Sequence, residues 1–399
     1  MSDLYERAAG LDSADQLAAV RGDFVLDDVV YLDGNSLGAL PVNVPGRVED
    51  VVRRQWGELR IRSWTESGWW TAPERIGDLI APLVGAGAGR IVVGDSTSVN
   101  VFKAVVGAVR LAGGPGAGRD EILVDASTFP TDGYIAESAA RMTGCTVRAV
   151  DPAEVPDALG ARTAAVLSNH VDYRSGRLQD LPGLSAAIRA AGAVSVWDLC
   201  HSAGALPVGL DEHGVDLAVG CTYKFLNGGP GAPAYLYVRA EHQERFDSPL
   251  PGWNSHAEPF GMRSSYEPAD GAVRGRVGTP DILSMLALEA ALEVWSRPDV
   301  SVAAVRAKSL ALTDFFLECV AAYVPEGRVE VVTPAAHAER GSQVALRCPD
   351  AGEVMGRLIA AGVVGDFRAP DVLRFGFTPL YLSFAETEKA ARVLARELS

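Results

Sequence analysis

The stretch Val194-Ser195-Val196-Trp197-Asp198 is a short apolar run that ends on a carboxylate. Its length and β-branched content predict a strand buried on both faces. Two runs of the same kind precede it, Glu121-Ile122-Leu123-Val124-Asp125 and Ala164-Ala165-Val166-Leu167-Ser168, and a fourth, Leu217-Ala218-Val219-Gly220, follows. Helix-like segments, Tyr134 to Met142 and Leu184 to Ala191, separate the first three. This alternation predicts an α/β fold with a mostly parallel, doubly covered sheet, whose ligands bind outside the carboxyl ends of the strands. The residues at those ends are Phe129-Pro130-Thr131-Asp132, Asn169-His170-Val171-Asp172, Asp198-Leu199-Cys200-His201 and Tyr223-Lys224.

Lys224 follows the fourth run and opens into Phe225-Leu226-Asn227-Gly228-Gly229-Pro230-Gly231. A lysine sheltered on one side and accessible on the other is partly desolvated, which frees its amine to act as a nucleophile or base. A Schiff-base lysine needs that setting. A surface lysine ending a strand is the plainer alternative, and Asp198 weighs against it. Pyridoxal phosphate (PLP) calls for a lysine at its aldehyde and an acid beside its pyridinium nitrogen.

The 399 residues carry a formal net charge of −15, 48% of them apolar and 22% charged. That profile is globular, and its acidity argues against nucleic acid, which needs a basic face. Met1 to Arg21 has no apolar signal core, and no apolar run approaches the ~20 residues of a membrane span. The expectation is a cytoplasmic enzyme acting on a small molecule. Cys145, Cys200, Cys221, Cys319 and Cys348 show no CxxC spacing, so neither a zinc site nor a disulfide framework is predicted.

Elsewhere, Tyr31 to Pro41 (YLDGNSLGALP) reads as a strand ending in turns where backbone can approach a ligand closely. Trp64, Trp69 and Trp70 could line an aromatic slot or pack ordinarily. Asp95-Ser96-Thr97-Ser98 precedes a helical pattern, placing hydroxyls where an N-terminus caps itself or binds an anion. Thr279 with Pro280 reads as the N-cap and first residue of a helix running to Trp295. Arg374 stands inside the apolar run Val372-Leu373-Arg374-Phe375-Gly376, where it needs a carboxylate, from the chain or from a substrate. The predicted division is an N-terminal segment over residues 1–45 associated with the small domain, a large domain over 46–285, and a small α+β domain over 286–399.

Together these stretches resemble kynureninase, a PLP enzyme of the aspartate-aminotransferase fold type (fold type I). The likeness rests on YLDGNSLGALP from Tyr31, RSW from Arg62 with GWW from Gly68, DSTSVNVFK from Asp95, FPTD from Phe129, WDLCHSAGALPV from Trp197, TYKFLNGGPG from Thr222, PGW from Pro251, GTP from Gly278 and RFGFTPLY from Arg374. It implies that Lys224 binds the cofactor aldehyde and later moves the Cα proton, that Asp198 pairs with the pyridinium, that Phe129 stacks on the ring and that His201 sits beside it. It implies phosphate contacts from Thr97, Ser98, Asp132 and Tyr223, with Trp253 and Thr279 arriving from the second subunit of a homodimer. Asp172 falls among the cofactor-binding positions, as an acid where an uncharged residue is expected. Arg374 would hold the substrate α-carboxylate, with Ser36 and Trp64 also on the substrate side, and Tyr223 would move a proton when water adds. The implied reaction hydrolyses L-kynurenine, or its 3-hydroxy form, to an anthranilate and L-alanine, within tryptophan catabolism and NAD biosynthesis. A cysteine desulfurase with Cys348 as nucleophile, an aminotransferase, and a catalytically silent PLP-binding protein remain the rival readings.

Overall fold

The computed structural model describes residues 2–399. Seven strands form the large sheet: β1 (Ile91–Val93), β2 (Glu121–Asp125), β3 (Thr146–Val150), β4 (Thr163–Asn169), β5 (Val194–Asp198), β6 (Leu217–Gly220) and β7 (Tyr235–Val238). Their order is β1-β7-β6-β5-β4-β2-β3, parallel from β6 to β3, with β7 antiparallel to both its neighbours. The apolar runs are continuous because both faces are covered. Ile122 and Val124 pack with Val101, Val105 and Ala136 on one face, and Leu123 packs with Val150 and Val166 in the core on the other. Strand periodicity of two thus feeds two separate cores from one run of residues.

The helices begin where local chemistry lets them. The helix Thr97–Leu111 is capped by Ser96, whose Oγ accepts from Val99 N at 3.4 Å. The helix Pro130–Thr143 starts on proline, so Thr131 and Asp132 occupy its first turn instead of a loop. Thr279 is not a cap: the helix Ile282–Leu292 is capped by Asp281, which accepts from Ser284 N. A carboxylate beside the free N–H groups outcompetes a threonine two residues earlier.

The small sheet is antiparallel, with β8 (Glu330–Val331), β9 (Gln343–Arg347), β10 (Asp366–Arg368) and β11 (Val372–Gly376) in the order β10-β11-β9-β8. Its core joins Phe316, Leu346, Phe375 and Leu394 to residues near the chain's start, Leu17, Val20, Val30 and Leu32. Val30 and Tyr31 pair with Val363 and Val364. The loop that follows then runs to the large sheet, where Gly38 N donates to Tyr223 O at 2.7 Å. A Cβ on Gly38 would lie 2.3 Å from both Lys224 O and Asn227 Oδ1, so only glycine fits this approach. No helix of the described residues is long and apolar enough to cross a membrane.

Candidate active site

The carboxyl ends of β4, β5 and β6, the N-terminus of Thr97–Leu111 and the edge of the small sheet surround a cavity of about 250 Å³. Lys224, Asp198, His201, Tyr223, Phe129, Asp132, Thr97, Ser98, Ser36 and Arg374 all line it. Strand pairing is the cause: Asn169 sits opposite Asp198, and Asp198 opposite Val219, so residues distant in sequence emerge at one sheet edge.

Lys224 Nζ lies 3.0 Å from His201 Nε2. Burial, reinforced by the Lys224 charge, holds His201 well below the usual imidazole range, so the ring is neutral and tolerates an ammonium at hydrogen-bond distance. Its Nδ1 is buried with no partner among the described residues. Asp198 accepts from Cys200 N at 2.6 Å. The structure sets Asp132 against Asp198 and Thr128, in the same cavity as Thr97 and Ser98. Burial first, then the Asp198 charge, pushes the Asp132 carboxyl well above the ordinary range. A neutral acid can stand beside an anion here, where two carboxylates could not. Burial likewise keeps the Tyr223 phenol protonated far above its ordinary range. Phe129 meets Tyr173 edge to face, with ring centroids 5.2 Å apart.

Four of the predicted residues lie elsewhere in this chain. Asp172 does not line the cavity. Its Oδ1 accepts from Arg174 N, from Ser175 N and from Ser175 Oγ, because an aspartate opening a tight turn satisfies that turn's own donors. Trp64 packs edge to face on Trp69 and Trp70, and Trp253 packs on Trp70 and Phe260. Thr279 lines a neighbouring cavity of about 390 Å³ that shares Thr97 and Tyr223 with the first. Arg374 reaches the cavity and also has the internal partner that its burial demands, Asp366, to which its Nε donates at 2.8 Å.

Asp366, Arg368 and Tyr173 are the site residues that sequence reasoning passed over. Gly365-Asp366-Phe367-Arg368 is too short a run to stand out as a strand. The signal lay in its proximity to the Arg374 strand, since a hairpin through Ala369-Pro370-Asp371 puts Asp366 opposite Arg374 and Arg368 on the same face.

The arrangement fits PLP. The hydroxyls of Thr97 and Ser98 stand at the N-terminus of a fifteen-residue helix, an anion site. An acid from β5, an aromatic ring, and a lysine with no carboxylate partner among the described residues line the same cavity.

The kynureninase C-terminal domain family matches residues 305–394. The kynureninase of Deinococcus radiodurans is 50% identical over 395 residues, covering 97% of this chain and 95% of its own length. A kynureninase from Burkholderia pseudomallei is 45% identical over 393 residues, covering 98% and 94%. Among solved structures, the cysteine desulfurase of Thermococcus onnurineus NA1 superposes with a TM-score of 0.78 at 19% identity, covering 95% of this chain and 97% of that one. A C-DES variant with glycine covalently linked to its PLP cofactor gives 0.81 at 17% identity, covering 94% and 98%. At such identities these structures speak for the fold alone, which is the fold type I architecture of PLP-dependent enzymes. Identity at 45–50% over nearly the whole length goes further, and by it this chain belongs to the kynureninase family.

Proposed function

We propose that the chain is a PLP-dependent hydrolase that cleaves the Cβ–Cγ bond of L-kynurenine, or of its 3-hydroxy form, to give an anthranilate and L-alanine. The observation that carries this reading is the convergence of Lys224, Asp198 and Arg374 on one cavity in a chain 50% identical to a kynureninase. The cysteine desulfurase alternative is disfavoured by Cys348, which is only 2% exposed within the small-domain core. A nucleophilic cysteine has to reach its substrate.

Bound PLP would supply an aldehyde for the substrate amine and a ring that takes up electrons from the bonds being broken. Thr97 and Ser98 would hold its phosphate, Asp198 its ring nitrogen and Phe129 one face. Lys224, once released by the substrate amine, would carry the Cα proton, and neutral His201 beside it can accept a hydrogen bond from the ammonium or donate one to the amine. Because Asp132 is held in its acid form, the pair with Asp198 keeps one negative charge for the ring nitrogen instead of two in mutual repulsion. Tyr223 keeps its proton, so it would donate to the γ-carbonyl oxygen as water adds. Arg374 and Ser36 form the carboxylate end of the cavity.

We further read the enzyme as a homodimer in the cytoplasm acting in tryptophan catabolism. The dimer reading is supported by exposed Trp56, Ile61, Phe260 and Met262, and by Trp253 and Thr279 standing outside the cavity of their own chain. Incubating PLP-loaded protein with L-kynurenine tests the activity. Fluorescent anthranilate and alanine in equal amounts are expected; persulfide from cysteine, or keto acid from an amino-group transfer, with no anthranilate would reverse the reading.

A further inference from the structure

The carboxylate end of the cavity contains two arginines in opposite states of saturation. Arg374 is 1% exposed and already makes four hydrogen bonds with the five donors of its guanidinium. Nε and Nη2 grip both oxygens of Asp366, Nη2 also donates to Ser36 Oγ at 2.8 Å, and Nη1 donates to Tyr173 O at 2.6 Å. Its bidentate edge, the one that suits a carboxylate, is therefore occupied by a carboxylate of the chain itself. Arg368 lines the same cavity with 30% of its side chain exposed. Among the described residues it makes one side-chain hydrogen bond, from Nη2 to Asp366 Oδ2 at 2.6 Å, and its buried Nε has no acceptor. Its cation stands 5.9 Å from the Tyr173 ring centroid, and that ring meets Phe129. An orphaned guanidinium donor in a cavity wall is costly unless a ligand completes it.

We propose that Arg368 is a second substrate-carboxylate residue, supplying the fork that Arg374 has already given to Asp366, and that Asp366 is the positioning residue that holds both arginines on one edge of the cavity. This rests on the reading of the site as one for an α-amino acid. On that view Arg374 contributes its remaining N–H and a fixed wall, while Arg368, tethered to Asp366 through one N–H of Nη2, turns its unfilled Nε and the second N–H of Nη2 to the carboxylate. The β-hairpin register makes the arrangement rigid, because Asp366 is paired across the sheet with Arg374 and Arg368 follows two residues on, on the same face.

The test uses PLP-loaded enzyme and two probes, L-alanine and L-alaninamide, which differ only in the carboxylate. Dissociation constants are read by calorimetry and by the change in cofactor absorbance. Arg368→Gln is expected to weaken L-alanine by about 10–100-fold, the worth of a charge-assisted hydrogen bond, and to leave L-alaninamide within about twofold. Arg368→Lys, which keeps the charge and loses the fork, is expected to fall between, and carries the test should the glutamine variant not fold. Asp366→Asn is expected to raise KM for kynurenine in step with the L-alanine dissociation constant while kcat changes by less than about threefold. Unchanged L-alanine affinity in Arg368→Gln, or equal weakening of both probes, would overturn the proposal. A wild-type enzyme that made no anthranilate and did not distinguish the probes would instead remove the functional reading on which the proposal stands.

Discussion

Lys224 Nζ and His201 Nε2 are 3.0 Å apart, and the histidine is uncharged because it is buried next to a cation. The pair gives the lysine a neighbour with which it can exchange a hydrogen bond but not an ion pair. Lys224→Arg should therefore fold, take up PLP without fixing it covalently, and lose turnover by at least about 10²–10⁴-fold. Borohydride treatment followed by mass spectrometry checks this; a cofactor still attached at a residue other than 224 would move the catalytic assignment.

Tyr223→Phe removes a phenol that burial keeps protonated. Cofactor uptake should weaken by about 10-fold, the loss of one phosphate contact, while single-turnover release of the aryl product should slow by about 10²-fold or more. An unchanged single-turnover rate would assign the proton transfer to another group.

Asp198→Asn should weaken PLP binding by about 10–100-fold through loss of a charge-assisted hydrogen bond. It should also lower the Asp132 carboxyl toward its ordinary range, since the Asp198 charge is one of the causes that raise it. Equilibrium dialysis measures the first effect, and carboxyl-resolved NMR titration the second; an Asp132 titration identical in both proteins contradicts the coupling.

Asp33 carries a pH signature. Burial first, then the charge of Asp366, raises its carboxyl from 3.8 to about 6, against opposing contributions from Ser36, Arg374 and Arg368. The folded state thus holds this proton more tightly than the unfolded chain does. Its stabilising contribution is complete below pH ~4 and disappears as the pH rises through about 6. Asp33→Asn should accordingly stabilise the protein relative to wild type near pH 7, by on the order of 1–3 kcal/mol, and confer no such gain near pH 4. Thermal denaturation from pH 4 to 8 decides it; parallel curves for the two proteins would show that Asp33 titrates normally.

Gly38→Ala places a methyl 2.3 Å from Lys224 O. The backbone must shift, at a cost of about 1–3 kcal/mol, and Lys224 moves with it. A lowered Tm together with a lowered kcat is expected, and a drop in Tm with kcat intact would uncouple the loop from the lysine.

The parallel sheet and its strand-end residues were legible because burial on both faces leaves continuous apolar runs, and because Asp198 ends one such run and Tyr223-Lys224 come just after another. Asp172 also follows a strand, β4, but the turn that takes up its Oδ1 could not be read from that position. Thr279 misled through an ordinary N-cap pattern that Asp281 pre-empted. Arg368 was invisible for a different reason. Its importance depends on donors left unfilled in three dimensions, and no spacing in a sequence records which hydrogen bonds fail to form. Arg374, by contrast, announced itself as a charge within an apolar strand, and it has both the internal carboxylate and the place in the cavity that were weighed as alternatives.

The shared core of residues 8–32 with residues 294–398 bears on how the protein is made. Residues 8–32 are synthesised before the residues they pack on, and the strands of the seven-stranded sheet, residues 91–238, all lie between the two groups. The loop that carries Gly38 to Lys224 and the strand that carries Arg374 to the cavity therefore both hang from a core that closes only when residues 8–32 and 294–398 pack together.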